Sequence, residues 1–361
     1  MSSSFEKRFL EKMGETWEDG TQGLCVQAYS KGRKIVDLEV GKTYPYYDLA
    51  SLTKILFTTP ALMMLKDEKR FRVTDPVSRW VPWFPEDHPA RIKDLLTHSA
   101  GMTWWYPFYQ KLAPKTAKVK TPEEAWDIFQ VVLKKRILAD LEKNPVSFPV
   151  EKSVYSDLDY FLLGIALESI TGTTLYTAWA NLRDRLDLRE TDFHRGNKPK
   201  HSRSDYAPTE KDAWRGKTLQ GEVHDENTWA LKGVAPHAGL FGPIHDVTGF
   251  GLLLRGAMRG KGANNFPSHE TVKLFTKRSI PRSRGDWGLG FVMPSKAGST
   301  AGPLFDLKSV GHTGFTGTSL WYDPVKDLLI TILSNRVYPT RENTAFQKLR
   351  PQIHTWISEA L

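Results

Sequence analysis

Ser51 and Lys54 stand three residues apart in Ser51-Leu52-Thr53-Lys54, at the head of an apolar run. On a helix, an i, i+3 spacing puts the hydroxyl and the amine on one face. That pairs a nucleophile with a base. A buried lysine near the positive end of a helix can have its amine pKa lowered, so that it accepts the hydroxyl proton, while the first-turn amides favour developing negative charge. The same four residues also read as a helix cap followed by a surface lysine, and the spacing alone does not choose. Two further groups can join such chemistry: Tyr155-Ser156-Asp157, ahead of an apolar helix from Tyr160, and His312-Thr313-Gly314, at the entry to a strand.

These residues are far apart in the chain, so the fold must gather them. Residues 23–40 read as two strands joined by Ser30-Lys31-Gly32-Arg33. Residues 51–66 form an apolar helix without glycine, kinked or broken near Pro60. From about 74 to 234 the pattern is helical, including 122–141 and 160–170, with little period-2 alternation. A helix near 244–258 follows, then strands near 288–293, 317–322 and 328–333, and a closing helix over about 343–361. The expected fold is therefore α/β of the α+β type, an antiparallel sheet flanked by helices plus a mainly helical lobe. Residues 1–73 and 235–361 are expected to build the sheet-containing lobe and 74–234 the helical one, with the active site between them.

Composition excludes several classes. Hydrophobic residues at 40% and charged residues at 25% fit a packed globular chain, not a disordered or fibrous one. Cys25 is the single cysteine, which rules out an intrachain disulfide or a cysteine-based zinc cluster; it reads as a buried strand residue. Residues 1–10 lack a signal-type apolar run, and no stretch reaches the length of a membrane span. As written, the sequence is expected to work in the cytoplasm, or outside it if a leader precedes. A net charge of +9 favours anionic partners, but the basic residues are scattered and no nucleic-acid motif accompanies them, so no nucleic-acid role is expected. The spacing of His224, Asp225, Glu226, His237 and His245 fits no zinc signature, so neither metal nor cofactor is expected.

The three groups, in this order and with wide spacings, resemble the serine β-lactamases of class C, the serine DD-peptidases and their esterase relatives, whose motifs are Ser-x-x-Lys, Tyr-x-Asn and Lys-Thr-Gly or His-x-Gly. The resemblance runs from about residue 23 to 338. It takes in Asp48-Leu49-Ala50, Asp75-Pro76-Val77, Asp94-Leu95-Leu96-Thr97-His98-Ser99-Ala100-Gly101 and Ala238-Gly239-Leu240-Phe241. Residues 221–227, 233–241 and 334–337 look most like the branch holding peptidoglycan amidases and low-molecular-weight penicillin-binding proteins. The resemblance implies a β-lactamase/transpeptidase-like fold, Ser51 as acylated nucleophile, Lys54 as its base and Tyr155 as proton shuttle. It also implies an oxyanion hole made by the amides of Ser51 and Phe315. Two departures stand out: Asp157 replaces the usual Asn, and can orient Lys54, raise its pKa or be held protonated. His312 replaces the commoner Lys, a weaker clamp for a substrate carboxylate. It is expected to face Ser51, hydrogen-bonded near Tyr155, and to titrate within a unit or two of pH 6.5.

Further residues are expected to meet substrate: Thr313 and Gly314 on the strand, His224, Asn227 and His237 on a loop, and Trp105 among Trp104, Trp105, Tyr106, Phe108 and Tyr109. Those aromatics can stack on sugar rings or acyl groups, or pack between lobes. Arg336 and Arg341 can pair with a substrate carboxylate, or be ordinary surface arginines. The expected activity is amide hydrolysis on peptidoglycan-derived material, by a DD-carboxypeptidase or an N-acetylmuramyl-L-alanine amidase type of enzyme. A carboxylesterase is the alternative; a β-lactamase and a non-catalytic muropeptide-binding module rank below. The expected partner is a small molecule or muropeptide, and the oligomeric state stays open.

Overall fold

The structure, a computed structural model, describes residues 2–14, 18–144 and 147–361. Its main sheet takes strands from both ends of the chain. In chain order the strands are β1 (Gly23–Ser30), β2 (Arg33–Gly41), β3 (Tyr47–Asp48), β4 (Asp192–Phe193), β5 (Pro208–Asp212), β6 (Lys217–Gln220), β7 (Leu240–Gly242), β8 (Val310–Thr313), β9 (Ser319–Asp323) and β10 (Leu328–Ser334). Five of them form an antiparallel sheet in the order β2-β1-β10-β9-β8. Central β10 is buried at every residue, as its run Leu-Leu-Ile-Thr-Ile-Leu-Ser requires of a strand covered on both faces, whereas edge strand β2 alternates.

Alternation sends the two faces to two cores. Leu24, Val26 and Ala28 of β1, with Ile330 and Ile332 of β10, meet Phe9, Met13, Phe346, Ile353 and Ile357 from the helices Ser2–Met13 and Ala345–Glu359. Cys25, Leu329 and Leu333 face the other way, into a core shared with Val247, Phe250 and Leu254 of the helix Ile244–Met258. A Cβ at Gly251 of that helix would lie 2.7 Å from Leu329 Cδ1, so a larger residue there would push the Leu329 side chain aside where helix seats on sheet.

The expected helix over 51–66 is present but changes its winding. Residues Lys54–Thr58 form a π-helical turn closed by Thr59 N–H donating to Lys54 O, and α-helix resumes over Thr59–Asp67. Pro60 accounts for this, since it lacks an N–H and its ring crowds the carbonyl four residues back. The expected strand over 288–293 reduces to the bridges Trp287↔Val292 and Val292↔Gly311, in a segment interrupted by Gly288 and Gly290. The stretch 74–234 holds the helices Pro122–Lys143, Asp157–Thr171 and Leu175–Leu186, and also a hairpin of β5 and β6 that the sequence pattern did not announce. Its strands are short and polar, so they carry no alternation to read. Among the described residues, no helix is long and apolar enough to cross a membrane.

Candidate active site

Ser51 follows β3, which is pinned to β7 by its register Tyr47↔Gly242, Asp48↔Phe241 and by Leu49 N–H donating to Leu240 O at 2.9 Å. Between strand and helix the chain turns sharply. Ala50 adopts φ +47°, the left-handed region that a residue with a Cβ seldom occupies. Asp48 holds this turn: its Oδ1 accepts Ala50 N–H at 2.9 Å and its Oδ2 accepts His224 N–H at 2.8 Å. Thr316 Oγ1 and Thr318 Oγ1, from the β8–β9 connection, donate to Asp48 O and Leu49 O at 2.7 and 3.1 Å.

Tyr155 and Asp157 are set by the start of the helix Asp157–Thr171. Ser156 caps it, its Oγ accepting from the amides of Leu158 and Asp159, and the same hydroxyl donates to Thr103 O. His98, at φ +52°, braces the segment from behind: its Nδ1 accepts Ser156 N–H at 3.1 Å, and its ring centroid lies 4.7 Å from that of Tyr155. A nitrogen accepting that bond is unprotonated, and burial together with the Lys54 charge holds the His98 pKa well below the ordinary value. Asp159 Oδ2 lies 3.2 Å from the same nitrogen, and burial pushes this carboxyl well above the usual range, so the pair is neutral.

Four groups then converge. Tyr155 OH donates to Ser51 Oγ at 2.8 Å, and Lys54 Nζ donates to Ser51 Oγ at 3.0 Å. Lys54 also donates to Asp157 Oδ1 at 2.8 Å and to His237 O at 3.2 Å, and lies over the rings of Tyr155 and Tyr160 at 5.0 and 5.2 Å. Lysine has three N–H donors only when protonated, and all three are used. Burial alone would lower its pKa, but the Asp157 carboxylate and Tyr155 outweigh burial and raise it. The lowered lysine pKa expected from the helix terminus is therefore corrected: at rest Lys54 is an ammonium. Burial raises the Tyr155 phenol above its ordinary value, with the Lys54 charge opposing.

His312 lies on edge strand β8, its ring centroid 6.0 Å from that of Tyr155. Its Nδ1 lies 2.9 Å from Thr313 O, an atom that can only accept, so Nδ1 carries the proton and buried Nε2 has no partner among the described residues. The expected hydrogen bond near Tyr155 is not formed, and burial plus the Lys54 charge lower the His312 pKa to about 3. The imidazole is neutral at physiological pH. Gly314 is wedged beside the Ser51 turn, where a Cβ would lie 2.0 Å from Thr318 Oγ1 and 2.7 Å from Leu49 O. The N–H groups of Ser51 and Phe315 have no acceptor among the described residues.

The remaining expected residues fall into two groups. Thr313 is half-buried on β8, and Trp105 sits partly exposed between Trp104 and Tyr109, at centroid distances of 5.7 and 6.4 Å. His224, Asn227, His237 and Arg336 are all buried and engaged internally. Asn227 brackets the aromatic loop, accepting Tyr109 N–H and donating to Tyr106 O. His237 Nε2 lies 3.2 Å from Asp225 Oδ1. His224 bonds Glu210 and stacks 5.6 Å from Phe315. Arg336 donates to Phe315 O at 2.8 Å and lies over the Phe315 ring, while Arg341 pairs with Glu210 and Glu226. Both arginines steady Phe315's surroundings. Asp157, Asp225 and His237 bring one ligand atom each within 4.8 Å, but the Lys54 ammonium already supplies a cation to Asp157.

Sheet, helices and this polar cluster together define a hydrolase of the β-lactamase/transpeptidase fold. Residues 7–351 match the beta-lactamase family. A putative D-alanyl-D-alanine carboxypeptidase of Salmonella typhi is 33% identical over 344 residues, covering 86% of this chain and 73% of that one. Among solved structures, EstCE1, a hydrolase with promiscuous acyltransferase activity, superposes with a TM-score of 0.72 at 21% identity over 99% of both chains. The octameric penicillin-binding protein homologue from Pyrococcus abyssi gives a TM-score of 0.66 at 20% identity, covering 96% of this chain and 76% of that one. The chain belongs to the beta-lactamase family and is a serine hydrolase of it.

Proposed function

We propose that this chain cleaves an amide bond in peptidoglycan-derived peptides through an acyl-enzyme on Ser51. The observation that carries this reading is the pair of donors on Ser51 Oγ, Lys54 Nζ at 3.0 Å and Tyr155 OH at 2.8 Å. Lys54 gives a proton to Asp157, then accepts the Ser51 hydroxyl proton as Oγ bonds the scissile carbonyl carbon. The amides of Ser51 and Phe315 receive the oxyanion. Tyr155 protonates the leaving nitrogen as the C–N bond breaks, Lys54 refills the Tyr155 oxygen, and Asp157 returns its proton to Lys54. Water reverses the sequence to free the acid. Thr313 borders the substrate on β8, while Arg336, His224, Asn227 and His237 hold the walls.

The carboxypeptidase names of the relatives support a peptide substrate, and the neutral imidazole in place of a lysine removes a cation that a β-lactam carboxylate would use. A carboxylesterase is the second reading, favoured by the likeness to EstCE1 and by the exposed rings of Trp104 and Phe315. The deciding experiment incubates the protein with a muropeptide, a nitrophenyl ester and nitrocefin, and maps the acylated peptide by mass spectrometry. Release of amine from the muropeptide with an adduct on Ser51, lost in Ser51→Ala, is expected. An adduct that persists in Ser51→Ala overturns the nucleophile, and turnover of the ester alone selects the second reading.

A further inference from the structure

Val154 and Leu158 flank Tyr155 and Asp157 in the chain, and both line a cleft of about 390 Å³ outside the polar cluster. The segment that presents two polar groups to Ser51 thus also forms the wall of a neighbouring cavity. That volume is within the roughly 300–1,000 Å³ usual for ligand sites. Ile137 and Leu158 contribute apolar surface, and Trp104 and Val154 stand beside them 63% and 48% exposed. The backbone of Trp104 is tied to the site, its carbonyl accepting Asp157 N–H at 3.0 Å, and its ring lies 5.7 Å from that of Trp105. At the rim, Arg136 Nε donates to Asp140 Oδ2 at 2.6 Å, and the Arg136 guanidinium lies 4.1 Å over the Tyr106 ring.

An exposed indole beside an apolar floor wants a flat face of C–H groups. The paired Arg136 and Asp140 offer donors and acceptors with no net charge, so a charged ligand gains nothing there and a purely apolar one strips water from two ions without replacing its hydrogen bonds. A pyranose ring meets both demands, with C–H bonds on its face and hydroxyl or acetamido groups at its edge. We propose that this cleft is a subsite for an N-acetylhexosamine ring of the substrate, stacked on Trp104 and hydrogen-bonded at Arg136 and Asp140. The inference rests on the muropeptide reading for why such a ring is tethered to the scissile peptide. Its place, lined by Val154 next to Tyr155 and by Leu158 next to Asp157, lets a single substrate span both sites.

Calorimetric titration of the Ser51→Ala protein with di-N-acetylchitobiose tests it. Saturable binding in the millimolar range is expected, weakened roughly tenfold or more by Trp104→Ala and by Asp140→Ala and partly kept by Trp104→Tyr. Absence of saturation, binding undiminished in Trp104→Ala, or saturable binding of hexanamide without binding of the sugar overturns the subsite. The two readings fail separately. A wild-type protein that releases stem peptide but ignores the disaccharide loses only the sugar site; one that binds the disaccharide but never acylates Ser51 loses only the proposed reaction.

Discussion

Lys54 has three N–H bonds and three oxygens to receive them, Ser51 Oγ, Asp157 Oδ1 and His237 O. A protonated lysine so satisfied is not a base until a neighbour takes a proton from it, and Asp157 is the neighbour placed to do so. Asp157→Asn keeps the shape and removes the sink, so acylation is expected to fall by about 10²-fold or more, the usual worth of general-base help. Stopped-flow acylation of Ser51 measures it, and a variant faster than wild type at neutral pH would mean that Asp157 restrains Lys54 instead of relieving it. The spacing of Ser51 and Lys54 was legible because i, i+3 neighbours on a helix are fixed by local geometry. The charge on Lys54 was not, since it is set by Asp157, 103 residues away, and by the carbonyl of His237, 183 away. His312 illustrates the same limit: a lone imidazole suggests a pKa near 6.5, and only its burial beside Lys54 brings it to about 3.

Elements place these residues through contacts as close as backbone permits. The β8–β9 connection lies against the Ser51 turn, and Gly314 is the point of closest approach, with Thr318 Oγ1 at 2.0 Å and Leu49 O at 2.7 Å from any added Cβ. In Gly314→Ala one side must shift, at a cost of about 1–3 kcal/mol by the standard of overpacked sites. Because Phe315 is the next residue, the shift displaces its amide, and kcat/KM is expected to fall about 10²-fold while the melting temperature drops by only a few degrees. A loss confined to stability, with kcat/KM kept, would separate the Phe315 amide from the reaction. Long periodic segments were legible at this scale: the helix near 244–258 is Ile244–Met258, and that near 122–141 is Pro122–Lys143. Segments shaped by contact were not. The π-helical turn follows from Pro60, but its position beside Lys54 follows from packing.

Across the whole molecule, His98, His194, His312 and His354 are buried with pKa values held down, His194 to about 4 and His312 and His354 to about 3, burial being the leading cause. Each is neutral in the folded chain and protonated in the unfolded one between its folded pKa and about 6.5, so the unfolded state binds the extra proton in that window. The stability each contributes is complete above pH 6.5 and is lost as pH falls towards the folded value, at up to about 1.4 kcal/mol per pH unit. Asp48 and Asp159, raised by burial, oppose this by taking up protons in the folded state. His354 lies near Ser319, away from Ser51, so His354→Gln isolates one such term. Whatever the variant loses at pH 7, the gap in urea midpoint to wild type is expected to narrow from pH 7 to pH 4.5, and a constant gap would show that His354 does not titrate on unfolding. The sheet carries one more consequence, in time. Ser51 is made early, yet the strand that completes β1 and the threonines that fasten its turn lie at Leu328–Ser334, Thr316 and Thr318. During synthesis β1 therefore waits with an open edge for nearly three hundred residues, the state in which strands mispair or need chaperones. A ribosome stalled before β10 already carries Ser51, Lys54, Tyr155, Asp157 and His312, on a scaffold that cannot yet hold them together.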